Sequence, residues 1–109
     1  MNVIEELTQF LVAFRDARDW GQFHNGKDLA LALSIEAAEL NELFLWKAAG
    51  EVDEERLKEE LADVFAYAFL LADRYQLDVK QIFLDKMALN AKKYPVEKSK
   101  GTSQKYTEL

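Results

Sequence analysis

The sequence predicts an all-α fold in which four helices form a bundle and an irregular tail follows them. The 109 residues include only four Gly and one Pro, so few positions interrupt regular structure. Apolar side chains recur at spacings of three and four residues, which is the helical repeat, and strand-like alternation is absent. The connections between the predicted helices are short, which favours antiparallel packing of neighbours in the chain.

The first two predicted helices run from about Asn2 to Arg18 and from about Asp28 to Ala49. Between them, residues 19–27 break the apolar repeat, and Gly50 is a natural residue just past the end of the second helix. The first helix should present one apolar face, made of Ile4, Leu7, Leu11 and Phe14.

Asp residues mark the starts of the third and fourth predicted helices. Asp53 can cap the third helix, which should continue to about Tyr75. Asp78, followed three residues later by Gln81, resembles a capping box and predicts a fourth helix that ends near Tyr94.

Composition and charge indicate one folded domain with a basic end. Half of the residues are hydrophobic, and the net charge of −6 argues against nonspecific binding of a nucleic acid polymer. Residues 1–85 carry 18 acids and 8 bases, whereas residues 86–109 carry 2 acids and 6 bases. We expect residues 1–95 to form a single domain and residues 96–109 to form a basic tail. That tail either keeps the acidic domain soluble or binds an anionic group.

The sequence offers no sign of export or of a membrane anchor. It contains no Cys, and its first residues lack the basic segment of a signal peptide. The longest apolar run, Val64 to Ala72, has nine residues, whereas a membrane span needs about 20. These features predict a soluble cytoplasmic protein.

A carboxylate interrupts the apolar stripe of the second predicted helix. Glu36 falls within the four-three spacing of the stripe, and Glu39 lies about one turn further along the same face. A charge in a buried seam costs several kcal/mol unless it is paired or coordinated. The stripe consists of Leu29, Leu33, Glu36, Leu40 and Leu43.

The third predicted helix carries a second acidic pair, Glu60 and Asp63, beside its own apolar seam. If the second and third helices pack antiparallel, four carboxylates can converge across one interface. One interpretation is a divalent metal site, because oxygen-rich ligand sets suit Mg²⁺ or Mn²⁺. The other is that the acids lie at the edge of the stripe and reach solvent or salt bridges.

Aromatic and basic residues supply candidate contacts for a nucleotide. Trp and Phe rings can stack on a base, although aromatics at helix ends also commonly cover a small core. Lysines and an asparagine on one helix face can donate to phosphates or simply remain solvated. The aromatic candidates are Trp20, Phe23, His24 and Trp46, and the polar ones are Lys47, Lys86, Asn90 and Lys93.

The acidic residues form a pattern that resembles a known family. Glu36-Ala-Ala-Glu39 and then Glu60-Leu-Ala-Asp63 are similar to the E-x-x-E and E-x-x-D motifs of MazG-type all-α nucleotide pyrophosphohydrolases. The resemblance extends to the dCTP pyrophosphatase branch of that family. Its further matches are Arg18 to His24, Glu42 to Lys47, the set Lys86, Asn90 and Lys93 to Pro95, and Lys105 to Leu109.

This resemblance implies a Mg²⁺-dependent enzyme, with Mn²⁺ as a substitute, that converts a nucleoside triphosphate to the monophosphate and pyrophosphate. The first candidate substrates are dCTP and related or modified deoxynucleotides, and the role would be house-cleaning of the nucleotide pool. Glu36, Glu39, Glu60 and Asp63 would hold the metal, and Glu36 or Glu39 would activate water. Tyr67 joins the aromatic candidates above as a nucleoside contact.

The resemblance also implies a homotetramer, a dimer of dimers, with sites built from more than one subunit. The basic tail would then pack on a neighbouring subunit or near the site. Leu11 stands where close mammalian members are expected to carry a His, which leaves the preferred base open. A non-catalytic helical module, for oligomerisation or for regulatory nucleotide binding, is the alternative function.

Overall fold

The computed structural model describes residues 1–109 and contains helices but no strand, which confirms the predicted all-α class. Three short 3₁₀ helices, Trp20–Phe23, Ala49–Glu51 and Tyr106–Glu108, lie in the connections and the tail. The five α helices are α1 (Val3–Ala17), α2 (Gly26–Glu42), α3 (Glu54–Arg74), α4 (Val79–Lys93) and α5 (Val96–Ser99).

Side-chain caps explain where the α helices begin. Asp53 accepts hydrogen bonds from the backbone at the start of α3, and Asp78 accepts one from the Gln81 amide at the start of α4, as predicted. Gln81 does not complete the capping box, because its side chain donates to Asp85 at 2.8 Å. Asn2, at the start of α1, forms a full capping box with Glu5 that the sequence analysis did not identify.

The predicted end of the second helix is wrong. α2 ends at Glu42 rather than at Ala49, and turns occupy the residues that follow. Trp46 has a φ of 63°, which is incompatible with a continuing right-handed helix. Gly50 consequently lies in a 3₁₀ helix and does not cap α2. The tail is also more regular than expected, because it contains α5 and the last 3₁₀ helix.

The helices α2 and α3 pack against each other more extensively than any other pair. Gly26, at the start of α2, lies beside the Tyr75 side chain at the end of α3, so the two helices run antiparallel. The predicted stripe is the less exposed side of α2, with Leu29 and, just past the helix end, Leu43 buried at 2% and 5% exposure. α1 packs on α3 and completes this part of the structure.

The chain alone buries little of its apolar surface. Only four apolar side chains are buried, whereas many large ones, Phe10 at 71% among them, face solvent. A groove of about 460 Å³ runs between α1 and α3 and is almost wholly apolar. Apolar patches of this kind mark surfaces that another protein covers. The groove is lined by Leu7, Phe10, Leu11, Ala62, Phe65, Ala66 and Phe69.

The chain divides into two compact units, residues 1–77 and residues 78–109. The first contains α1 to α3. In the second, the rings of Tyr94 and Tyr106 meet edge to face at 5.9 Å, and the Lys93 ammonium lies 4.8 Å from the centre of the Tyr106 ring. These contacts tie the end of α4 to the last 3₁₀ helix.

None of the helices combines the length and the apolar character needed to cross a bilayer.

Candidate functional site

The acidic residues of α2 and α3 meet at one place. Carboxylate oxygens of Glu36, Glu60 and Asp63 all lie within 4.8 Å of one another. Glu36 and Glu60 are half-buried and Asp63 is exposed. Antiparallel packing produces this arrangement, because it sets the middle of α2 against the first half of α3.

Burial, together with the crowding of like charges, shifts the pKa values of this cluster. The pKa of Glu36 rises from 4.5 to about 7, mainly through burial, then through a hydrogen bond with Glu39 and repulsion from Glu39, Asp63 and Glu60. Burial also raises the pKa of Glu60, with further contributions from Glu39 and Asp63. Glu39 is therefore an electrostatic member of the cluster, although its oxygens lie outside the group of three.

The donor set fits a divalent cation. Oε2 of Glu36 and Oε2 of Glu60 are buried and have no hydrogen-bond partner. No Lys or Arg nitrogen forms a salt bridge with any of the four acids. Unpaired carboxylate oxygens of this kind are the hard ligands that Mg²⁺ and Mn²⁺ prefer. The alternative that the acids reach salt bridges therefore finds no support in the contacts, whereas Glu39 and Asp63 do reach solvent.

The raised pKa of Glu36 predicts how the metal-free protein responds to pH. Between the unfolded value near 4.5 and the folded value near 7, the folded state binds a proton that the unfolded state lacks. Stability should therefore be greatest at low pH and should fall as the pH rises through about 7. The melting temperature in EDTA, followed by circular dichroism from about pH 5 to about pH 8, measures this effect.

Glu36→Gln is the control for that measurement, because it removes the titrating group and should flatten the profile. Mg²⁺ should restore stability at the alkaline end, since an ion that binds only the folded state stabilises it. A wild-type melting temperature that rises over the same range would contradict the assignment.

A pocket of about 270 Å³ adjoins the carboxylate cluster and shares Asp63 with it. Its walls are largely apolar and aromatic, and the Phe14 and Trp20 rings meet edge to face at 5.8 Å. A hollow with these walls suits a flat, largely apolar group such as a nucleobase. The lining residues are Leu11, Phe14, Arg15, Trp20, His24, Asp63, Ala66, Tyr67 and Leu70.

Three of the predicted nucleoside contacts, Trp20, His24 and Tyr67, line this pocket. The pKa of Tyr67 is raised, first by burial and then by the charges of Glu36, Asp63 and Glu39. The pKa of His24 is lowered, first by burial and then by the nearby Arg15 charge. These side chains place polar atoms within an otherwise apolar hollow.

The other predicted contacts lie elsewhere. Phe23 is 63% exposed and does not line the pocket. Trp46 is 93% exposed and lines a separate hollow beyond the end of α2. Lys47 is exposed beside it. The three polar residues of α4 belong to the second unit, and their contact with phosphate stays a prediction; they are Lys86, Asn90 and Lys93.

Sequence analysis missed Phe14 and Arg15 as pocket residues. The apolar repeat places Phe14 only on the apolar face of the first predicted helix, and no motif singles out Arg15. The available signal was the helical repeat: Arg15 follows Leu11 by four residues and therefore shares its face of α1.

The geometry agrees with comparisons to known proteins. A model of the MazG-like family matches residues 31–109. Human dCTP pyrophosphatase 1 is 40% identical over 114 aligned positions, which cover 97% of this chain and 67% of the human protein. Mouse dCTP pyrophosphatase 1 gives the same identity and coverage.

A solved structure provides an independent comparison. The crystal structure of a pyrophosphatase from Archaeoglobus fulgidus DSM 4304 is similar, with a TM-score of 0.79 and 39% identity. The similarity covers 87% of this chain and 94% of the archaeal chain.

Proposed function

Because the chain belongs to the MazG-like family, we propose that it is a Mg²⁺-dependent pyrophosphohydrolase of deoxynucleoside triphosphates, with dCTP as the first candidate substrate. The products are the monophosphate and pyrophosphate. The observation that carries this proposal is the cluster of unpaired carboxylates beside an aromatic pocket. The names of the curated relatives and of the similar archaeal structure supply the reaction class.

The four acids have two functions, metal binding and proton transfer. Glu36, Glu60 and Asp63 contribute the closely grouped oxygens, and Glu39 adds charge beside them. When bound there, Mg²⁺ supplies neutralisation of the triphosphate and polarisation of the α-phosphorus. Mn²⁺ offers the same octahedral oxygen chemistry and is the expected substitute.

Glu36 or Glu39 accepts the proton of the attacking water. Glu39 is the better candidate, because its oxygens lie outside the group of three and are less committed to metal binding. Water adds to the α-phosphorus, the bond to the bridging oxygen breaks, and pyrophosphate leaves with that oxygen. A carboxylate within hydrogen-bond reach of the water provides general-base catalysis.

The aromatic pocket holds the base while the cluster acts on the phosphates. Trp20 and Tyr67 form part of its walls, and Asp63 belongs to both the pocket and the cluster. This continuity places a bound nucleoside next to the acids. Stacking on an aromatic ring contributes on the order of 1–3 kcal/mol per base.

We also propose a homotetramer, arranged as a dimer of dimers, as the active form. The support is the scarcity of buried apolar side chains and the open groove between α1 and α3. Residues 1–95 form the catalytic domain in this proposal, and the basic tail, residues 96–109, packs on a neighbouring subunit or near the site. Within that assembly, Phe23, Trp46, Lys47 and the polar face of α4 complete the nucleotide contacts.

The reaction class is tested by incubating purified protein with a panel of nucleoside and deoxynucleoside triphosphates and resolving pyrophosphate from orthophosphate. Pyrophosphate should appear with Mg²⁺ and disappear with EDTA, and the panel ranks the substrates. Orthophosphate as the first product would overturn the proposal. Absence of any product, with Mg²⁺ binding still detectable, would favour the alternative of a regulatory nucleotide-binding module.

A further inference from the structure

Arg15 is the one strong hydrogen-bond donor in the aromatic pocket that has no assigned role. Its side chain is only 20% exposed. Nε donates to Asp16 Oδ1 at 2.9 Å. Nη1 forms a salt bridge with Asp73 Oδ2 at 3.7 Å, which is beyond hydrogen-bond distance, and the guanidinium forms no other hydrogen bond. Neither terminal nitrogen therefore donates a hydrogen bond, on a side chain that lines a largely apolar hollow.

A guanidinium presents only donors, in a planar fork that matches two adjacent acceptors. The walls around Arg15 are mostly apolar and aromatic, which suits a base better than a phosphate. Among pyrimidines, cytosine carries two adjacent acceptors, O2 and N3. Uracil and thymine carry an N3–H donor at the second position, which would oppose the guanidinium and leave both groups unpaired.

A second residue that lines the pocket, His24, also has a polar atom without a partner. Nδ1 of His24 is buried and forms no hydrogen bond. In the tautomer that leaves it unprotonated, this nitrogen accepts a hydrogen bond and complements the exocyclic amino group of cytosine. A buried polar group without a partner is costly, so a ligand that satisfies it gains affinity.

We propose that Arg15 is a specificity-determining residue that pairs with O2 and N3 of a cytosine base in the aromatic pocket. This inference deepens the proposed function and depends on it for the identity of the site. It predicts that the site prefers dCMP to dUMP, whose bases differ in the substituent at ring position 4 and in the protonation of N3. A bidentate pair of this kind discriminates by on the order of 10- to 100-fold.

The experiment compares wild-type protein with Arg15→Met, which keeps the length of the aliphatic stem, and with Arg15→Lys. Binding of dCMP and dUMP is measured by isothermal titration calorimetry, and kcat/KM is measured for dCTP and dUTP. Arg74→Met is the matched control, because Arg74 is an exposed arginine at the end of α3. Circular dichroism melts report whether each variant is folded.

Wild type and Arg74→Met should prefer the cytosine nucleotide by at least about tenfold, and Arg15→Met should reduce that ratio to about one. Arg15→Lys should also lose most of the preference, since a single ammonium nitrogen lacks the planar fork of two nitrogens that matches two adjacent acceptors. A preference for the cytosine nucleotide that survives in Arg15→Lys would overturn the proposal. An equal loss of affinity for both nucleotides in Arg15→Met would also overturn it, because that result indicates a phosphate contact or a structural role. Wild-type protein that hydrolyses no triphosphate but still prefers dCMP would refute the proposed reaction and not the role of Arg15.

Discussion

Glu39→Gln is expected to reduce kcat for dCTP by about 10²- to 10⁴-fold, the range for loss of a general base. The amide cannot accept a proton from water, and it removes one negative charge from the cluster. Stability should not fall with activity. The Glu39 charge contributes to the raised pKa values of Glu36 and Glu60, so removing it relieves repulsion in the metal-free protein.

Two measurements separate this prediction from simple unfolding. Steady-state rates give the loss of turnover, and the melting temperature in EDTA should stay the same or rise. Glu55→Gln is the control, because Glu55 is a glutamate of α3 whose side chain is 81% exposed. Near-normal turnover in Glu39→Gln, or an equal loss in Glu55→Gln, would remove Glu39 from the mechanism.

Phe10→Asp is expected to split the assembly into smaller species and to abolish most of the activity. Phe10 is 71% exposed in the isolated chain and lines the apolar groove between α1 and α3. A carboxylate there would have to be buried without a partner if a second copy covered the groove. Multi-angle light scattering should give four times the chain mass for wild type and a much smaller mass for the variant.

The adjacent residue provides the matched control. Gln9→Asp introduces the same carboxylate on α1 at an exposed position outside the groove. It should leave the mass and the rate close to those of wild type. A wild-type protein that is fully active as a single chain would refute the assembly, and so would a Phe10→Asp variant that retains the wild-type mass.

The acidic cluster was predictable because the sequence places a charged side chain in an apolar stripe, an arrangement that only the folded structure explains. Glu36 interrupts an otherwise apolar stripe, and the structure makes that stripe the less exposed side of α2. Antiparallel packing of α2 and α3 brings Glu60 and Asp63 to Glu36, although the connection between the helices, residues 43–53, is longer than predicted. Helical periodicity was sufficient for this part of the site because all three residues lie on long helices.

The helix boundary near Trp46 was not predictable from the apolar repeat. That repeat continues through Leu43 to Trp46, whereas the backbone leaves the helix after Glu42 and takes a positive φ at Trp46. A non-glycine residue in this region is held there by its surroundings. Periodicity reports which residues are apolar and does not report where the backbone turns.

Arg15 escaped prediction for a different reason. Its neighbours in sequence, Phe14 and Asp16, suggest a charge at the edge of an amphipathic helix. Its role in the pocket depends on residues distant in sequence, since Trp20 and Tyr67 form other walls of the same hollow. The sequence therefore identifies the acids that act on phosphates more readily than the groups that select the base.

The most direct test of the central claim is hydrolysis of dCTP by wild-type protein and Mg²⁺ in water enriched in ¹⁸O. Mass spectrometry of the products identifies the phosphorus atom that water attacks. We predict that the label enters dCMP and that pyrophosphate stays unlabelled, with both products lost in Glu39→Gln. Label in pyrophosphate, or release of labelled orthophosphate from dCTP, would contradict attack at the α-phosphorus and the function assigned to the carboxylate cluster.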